Sequence, residues 1–101
     1  MSTQKTFQVI VRYHPKEGKS EAVLGLLAEL AAASRVEPAC LSFEYFLNPE
    51  NLQEIVILES FISHAGFLAH RDAAHSLRIN SEQILPLLES RSSSKGALSP
   101  L

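Results

Sequence analysis

The chain is short of several things, and each shortage narrows its function. Its 101 residues hold a single cysteine, so no internal disulfide can form, and a cytoplasmic setting, where thiols stay reduced, is expected. No apolar run approaches the roughly 20 residues that a membrane-crossing helix needs. The opening "MSTQKT" is polar and leads straight into a strand pattern, unlike a signal peptide. Basic residues are not in surplus: nine Lys and Arg against eleven Asp and Glu give a net charge of −2, with no basic run to suggest nucleic acid as a partner. Only four glycines and five prolines interrupt a composition that is 46% hydrophobic and 20% charged, as expected of a folded globular domain.

What remains is one small domain spanning residues 1–101, with a core at about 6–92 and a tail from 93 to 101. "TFQVIVRYH" places Phe7, Val9, Val11 and Tyr13 on one face of a first strand. A helix follows from Glu21 to Ser34, with Ser20 or a neighbour as its cap. Val23, Leu24, Leu27, Leu30 and Ala31 form its apolar stripe. Pro38 stops it by disfavouring a helical Glu37. "LSFEYFL" is a second strand, with Leu41, Phe43, Tyr45 and Leu47 on one side. "NPENL" is a turn, and "QEIVILESF" a third strand, so the two make an antiparallel hairpin. Ser63 is placed to cap a short helix holding Phe67, Leu68 and His70. A further helix, "AAHSLRINSEQIL", reaches Pro86. The serines at 90, 92, 93 and 94 predict a last strand that is short or irregular and ends by about Ser93. The order strand–helix–strand–strand–helix–strand is that of an α+β, ferredoxin-like fold with helices on one face of an antiparallel sheet. In the third strand Ile55 and Ile57 alternate with Val56 and Leu58, so both sheet faces are apolar. Helices cover one of them, and a second subunit in a twofold homodimer is expected to cover the other.

Several stretches resemble the antibiotic biosynthesis monooxygenase family, the dimeric α+β barrels. "EPAC" (Glu37–Cys40) is similar to a Glu-Pro-Gly-Cys turn after the first helix. "ILESF" resembles its hydrophobic-Glu-x-aromatic strand end, and "FLAHRDAAH" its aromatic-x-x-His…His segment. The resemblance implies a small, mostly apolar pocket in each subunit, and an oxidoreductase that needs no cofactor. The implied reaction is monooxygenation of an electron-rich aromatic, such as a quinol or phenolic polyketide, by molecular oxygen. Triplet oxygen reacts slowly with closed-shell organics, but a substrate anion can pass it an electron. The protein then needs only to bind, orient and deprotonate. The resemblance implies His70 as the base, with His75, Phe61, Phe67, Val11, Tyr13 and Ile57 around the substrate. Departures from the pattern are also visible. Phe61 stands where many members have Trp, and Ile57 where the polyketide oxygenases have Asn. Val11, His70 and Asn80 replace the residue set of haem-degrading members. These departures suit an alternative, a small-metabolite binding or isomerising protein on the same scaffold.

Individual residues leave choices open. His70 is either a proton acceptor, since imidazole titrates near neutrality, or a packed histidine bonded to Glu59 or a backbone carbonyl. Glu59 sits among apolar strand residues and needs a partner. It either orients His70 or forms a structural pair with Arg12 or Arg71. His75 belongs to the pocket mouth or caps the next helix. On one continuous helix His70 and His75 stand about 140° apart and His64 and His70 about 240° apart. Neither spacing presents two metal ligands on one face, so no metal is expected unless "RDAA" bends the chain and Glu59 joins. Cys40 reads as a small buried apolar residue, and His64 and His14 as exposed.

Overall fold

The structure is a computed structural model that describes residues 5–98. Strand β1 (Thr6–Pro15) leads through a turn to helix α1 (Ser20–Arg35). Strands β2 (Cys40–Asn48) and β3 (Asn51–Phe61) follow, then helix α2 (His64–Asp72), helix α3 (Ser76–Ile84), a 3-10 turn at Leu85–Leu87 and strand β4 (Leu88–Leu98). The sheet order is β2-β3-β1-β4, with every neighbouring pair antiparallel. This is the expected ferredoxin-like α+β arrangement.

Each element follows from its residues. Gly18 adopts φ +76°, a left-handed turn that glycine tolerates without a Cβ penalty, and the chain then enters α1. The residue before α1 is Lys19, with no side-chain cap, and Ser20 is already helical. Glu21 in the first turn and Arg35 in the last suit the helix dipole. Val23, Leu27, Leu30 and Ala31 are buried against the sheet, while Leu24 packs at the edge of the core. Arg35 ends the helix by donating from Nε and Nη2 to the Phe43 carbonyl, at 3.0 and 2.7 Å, which ties α1 to β2. At α2, Ser63 Oγ accepts the Gly66 amide at 3.0 Å, the expected cap.

Pairing places Val9 opposite Glu59 and Val11 opposite Ile57 on the helix-facing side, with Ile10 opposite Leu58 on the other. Phe43, Ile55, Ile57 and Phe61 are at most 2% exposed, so the core lies between sheet and helices. Leu41 departs from the expected alternation. Cys40 pairs with Phe61 and Ser42 with Ser60, which leaves Leu41 as the extra residue of a bulge, and it is exposed.

The last strand departs from the sequence expectation. It is not short: it pairs with β1 from Leu88 to Leu98, past Ser93, with one register irregularity at His14/Pro15. Residues 93–98 are therefore sheet, and the rest of the expected tail lies outside the described residues. Every residue of β4 after Leu88 is exposed, so side-chain burial contributes little. The β1 backbone groups supply the pairing, which is why propensity misjudges an edge strand. The helix expected before Pro86 is present as α3, and it is π-helical. Its end shows the wide repeat, as the Leu85 amide donates to Asn80 O, five residues back, a geometry rare in proteins and frequent at functional sites.

Candidate functional site

The inner sheet face and the helices enclose a cavity of about 590 Å³, within the range of small-molecule sites. Val9, Val11 and Tyr13 of β1 and Ile57 and Glu59 of β3 form its floor. Leu27, Leu30, Phe43 and Phe67 give apolar walls, and Ser76, Asn80, Arg91, Ser93 and Lys95 give polar ones. His70 and Glu59, both buried, line this space.

The local fold explains how His70 gets there. The turn after α1 is closed by Glu37 N–H to Ser34 O at 3.0 Å and Cys40 N–H to Glu37 O at 3.1 Å. Ile62 N–H to Ala39 O, at 2.9 Å, ties the end of β3 to the same turn. Gly66 then lets α2 settle on it: a Cβ at Gly66 would stand 2.7 Å from the Ala39 Cβ. That close approach brings His70, one turn along α2, onto Glu37. His70 Nδ1 lies 3.1 and 3.0 Å from the two Glu37 oxygens. Its Nε2 lies 3.3 Å from Glu59 Oε1, a looser contact on the cavity side.

His75 reaches the same carboxylate. α2 ends at Asp72 and Ala73 is extended, with φ −66° and ψ 147°, so the chain leaves the helix axis before His75. The "RDAA" bend therefore occurs, and His75 Nε2 makes a short contact with Glu37 Oε2, with the two imidazole centroids 6.3 Å apart. The angle on a continuous helix does not apply, and His70 and His75 cluster after all. They do so on Glu37 rather than Glu59. Donor atoms of Glu37, His70 and His75 all lie within 4.8 Å of one another, a set with the chemistry to hold a metal ion, although each atom already has a protein partner. The sequence marks Glu37 only as the residue before Pro38 and as part of a turn motif. Its signal was a lone carboxylate directly after a helix, in the otherwise small and apolar "VEPAC".

Burial pulls the His70 pKa down, but hydrogen bonds and attraction from Glu59 and Glu37 more than reverse this, leaving it above the ordinary histidine value. Burial pushes the Tyr13 hydroxyl up to about 12, so it is neutral and donates to Asn80 Oδ1 at 2.6 Å. The Cys40 thiol is raised by burial and by the nearby Glu37 and Glu59, which argues against a nucleophilic thiolate. Ser76 Oγ is buried with no hydrogen-bond partner among the described residues, and its residue lines the cavity.

Of the residues expected around a substrate, Val11, Tyr13, Ile57 and Phe67 line the cavity together with His70 and Glu59. Phe61 does not. It is 0% exposed and packs behind His70 and Phe67, at centroid distances of 5.1 and 5.8 Å. His75 lies behind His70 instead of at the mouth, and it makes no side-chain cap for α3. Neither arginine pairs with Glu59: Arg12 binds Glu54 and Arg71 binds Asp72. His64 is exposed beside Phe7, whereas His14 is engaged by Glu54 and Ser90. No helix among the described residues is long and apolar enough to cross a membrane.

Solved structures share this fold. A protein from Shewanella oneidensis is 24% identical with a TM-score of 0.88, covering 97% of this chain and 95% of that one. A Mycobacterium tuberculosis protein is 26% identical with a TM-score of 0.81, covering 95% of each chain. A Bacteroides thetaiotaomicron protein described as a possible oxidoreductase is 20% identical with a TM-score of 0.87, covering 94% of this chain and 99% of that one. No curated protein matches the sequence at a significant level. Residues 6–82 match the family model described as antibiotic biosynthesis monooxygenase, and the chain belongs to that family.

Proposed function

We propose that this protein is a cofactor-independent monooxygenase of a small electron-rich aromatic, such as a quinol or phenolic polyketide, acting as a cytoplasmic homodimer. The observation that carries this reading is a cavity, lined in similar measure by apolar and polar side chains rather than mostly apolar as expected, with a buried carboxylate–imidazole pair, Glu59 and His70, facing it. His70 is the base, at the Nε2 atom nearest the cavity, and Glu59 orients it. Val11, Tyr13, Ile57 and Phe67 hold the substrate. Loss of a phenolic proton gives an anion that passes one electron to O₂, and the resulting radical pair joins to form a C–O bond. Return of the proton gives a hydroperoxide, which loses water. The balance is hydroquinone plus O₂ to hydroxyquinone plus H₂O.

The second sheet face supports the dimer. Ile10, Phe46 and Leu58 there are 43, 50 and 37% exposed, an apolar patch of the kind that partners cover. Sedimentation at the mass of a single chain would remove the dimer from the proposal. Ile57, apolar in the cavity wall, favours the alternative of a small-metabolite binding or isomerising protein. Oxygen uptake with a panel of hydroquinones, against an enzyme-free control for autoxidation, separates the two readings. The oxygenase reading expects uptake above the control with at least one hydroquinone. Uptake equal to the control throughout, under conditions where the compounds still bind, rejects it for the alternative.

A further inference from the structure

We propose that His70, Glu37 and His75 form a proton path joining the cavity to the protein surface, with Glu59 holding its cavity end until substrate binds and His75 as its outer end; this rests on the oxygenase reading of the cavity. Carboxylate and imidazole alternate along it. Glu59 Oε1 is 3.3 Å from His70 Nε2, His70 Nδ1 is 3.0 Å from Glu37 Oε2, and that same oxygen touches His75 Nε2. Exposure rises in the same order. The Glu59 and His70 side chains are 8% exposed, Glu37 14% and His75 23%. The inner pair lines the cavity and the outer pair does not. Phe43 and Phe61 pack around the His70 ring at 5.9 and 5.1 Å, so its two nitrogens are its polar outlets, one toward the cavity and one toward Glu37.

The looser contact at Nε2 gives the path its direction. A substrate hydroxyl can compete with Glu59 for that atom more readily than anything can displace Glu37 from Nδ1. In the neutral ring with hydrogen on Nδ1, the Nε2 lone pair takes the phenolic proton. The substrate O–H bond breaks, its electron pair stays on oxygen, and an N–H bond forms. The Nδ1 proton passes to Glu37, and Glu37 passes a proton to His75 Nε2. Substrate is now the phenolate and His75 the imidazolium. The charged groups around His70 are Glu59 on β3, Glu37 in the turn after α1 and His75 beyond α2, with the Cys40 thiol close to both carboxylates. After oxygen has added, the peroxide needs one proton before water leaves, and the same path run backwards supplies it. That return restores the starting tautomer of His70, so a cycle needs no net exchange with solvent. His75, partly open to water, keeps the outer end in equilibrium with buffer.

The test is His75→Gln, which keeps a polar side chain but cannot carry a proton. With a hydroquinone that the wild type oxidises, kcat should fall about tenfold or more, in line with losses of proton-transfer groups, while KM holds. Added imidazole should restore the rate. In ¹⁵N-histidine spectra, exchange of the His70 ring protons with solvent should slow in the variant. His64→Gln, exposed and outside the path, should leave both readouts unchanged. Wild-type kcat in His75→Gln, a loss that imidazole does not repair, or unchanged His70 proton exchange overturns the path. If the wild type oxidises no hydroquinone, the oxygenase reading falls, and the exchange measurement alone decides whether protons travel through His75.

Discussion

Two carboxylate–histidine groups, each including a glutamate of β3, behave oppositely. Glu54 on β3 receives Arg12 at 2.7 Å, Asn48 at 2.9 Å and His14 at 2.8 Å. One anion is surrounded by donors, and the hydrogen bond from Asn48, followed by that from His14, holds its carboxyl below the ordinary value. At the cavity the proportions are inverted: one imidazole, His70, lies between two carboxylates, Glu37 and Glu59. The first group is a fixed charge near the edge of the fold. The second holds its imidazole between two anions, which favour the charged ring and raise its pKa. Residue type did not set this difference. The stoichiometry of partners did, together with which group faces the cavity.

Turnover gives the largest expected contrast. His70→Ala should lower kcat by about 10²–10⁴, the usual cost of losing a general base, with circular dichroism and sedimentation close to wild type. Glu54→Gln should leave turnover intact and lower the melting temperature only modestly. Full activity in His70→Ala, or its unfolding like a core truncation, makes that histidine structural. Next is Gly66→Ala. Its added Cβ meets the Ala39 Cβ at 2.7 Å, so α2 must lift from the turn that carries Glu37. The His70–Glu37 contact should break, and kcat should fall while the Glu54 group is untouched. The ring ¹⁵N shifts of His70 and His14 report the two groups separately.

A smaller effect appears in stability against pH, and the two groups should oppose one another. His70 has its folded pKa raised above 6.5. Its contribution is therefore complete below about pH 6.5 and fades as pH rises through the folded value. Glu54 has its pKa lowered from 4.5. Its contribution is present above 4.5 and fades as pH falls through the folded value. Urea midpoints should thus separate wild type from His70→Gln more at pH 5.5 than at pH 8.5, and from Glu54→Gln more at pH 7 than at pH 3.5. The reverse ordering for either variant would contradict the contacts described. Smallest of all is His64→Ala, whose exposed ring lies against Phe7; melting temperature and turnover should both match wild type.

The sequence made much of this legible. Alternation in β1 and β3, the stripe of α1 and the Ser63 cap all read correctly, because each depends on neighbours a few residues away. Glu59 was recognisable as a buried charge needing a partner, since it interrupts an apolar strand. What escaped was whatever depends on distant chain. Glu37 meets His70 across 33 residues through a glycine that permits close packing, and a helical-wheel angle cannot see Ala73 break the helix before His75. β4 escaped for the same reason: its serines say little, and the waiting edge of β1 decides.

That strand also has a consequence for the order of assembly. Thr6 faces Leu98 across 92 residues, and contacts so remote in sequence carry the greatest loop-closure cost and form slowly. The β2–β3 hairpin, joined by a tight turn, can pair early and receive β1, while β4 must wait for the β1 edge. The cavity wall that carries Arg91, Ser93 and Lys95 is therefore the last part of the pocket to be built. Until it docks, an apolar trough lined by Val9 and Val11 stands open along the β1 edge, and this is the interval in which the nascent domain is most exposed to sticking to other chains.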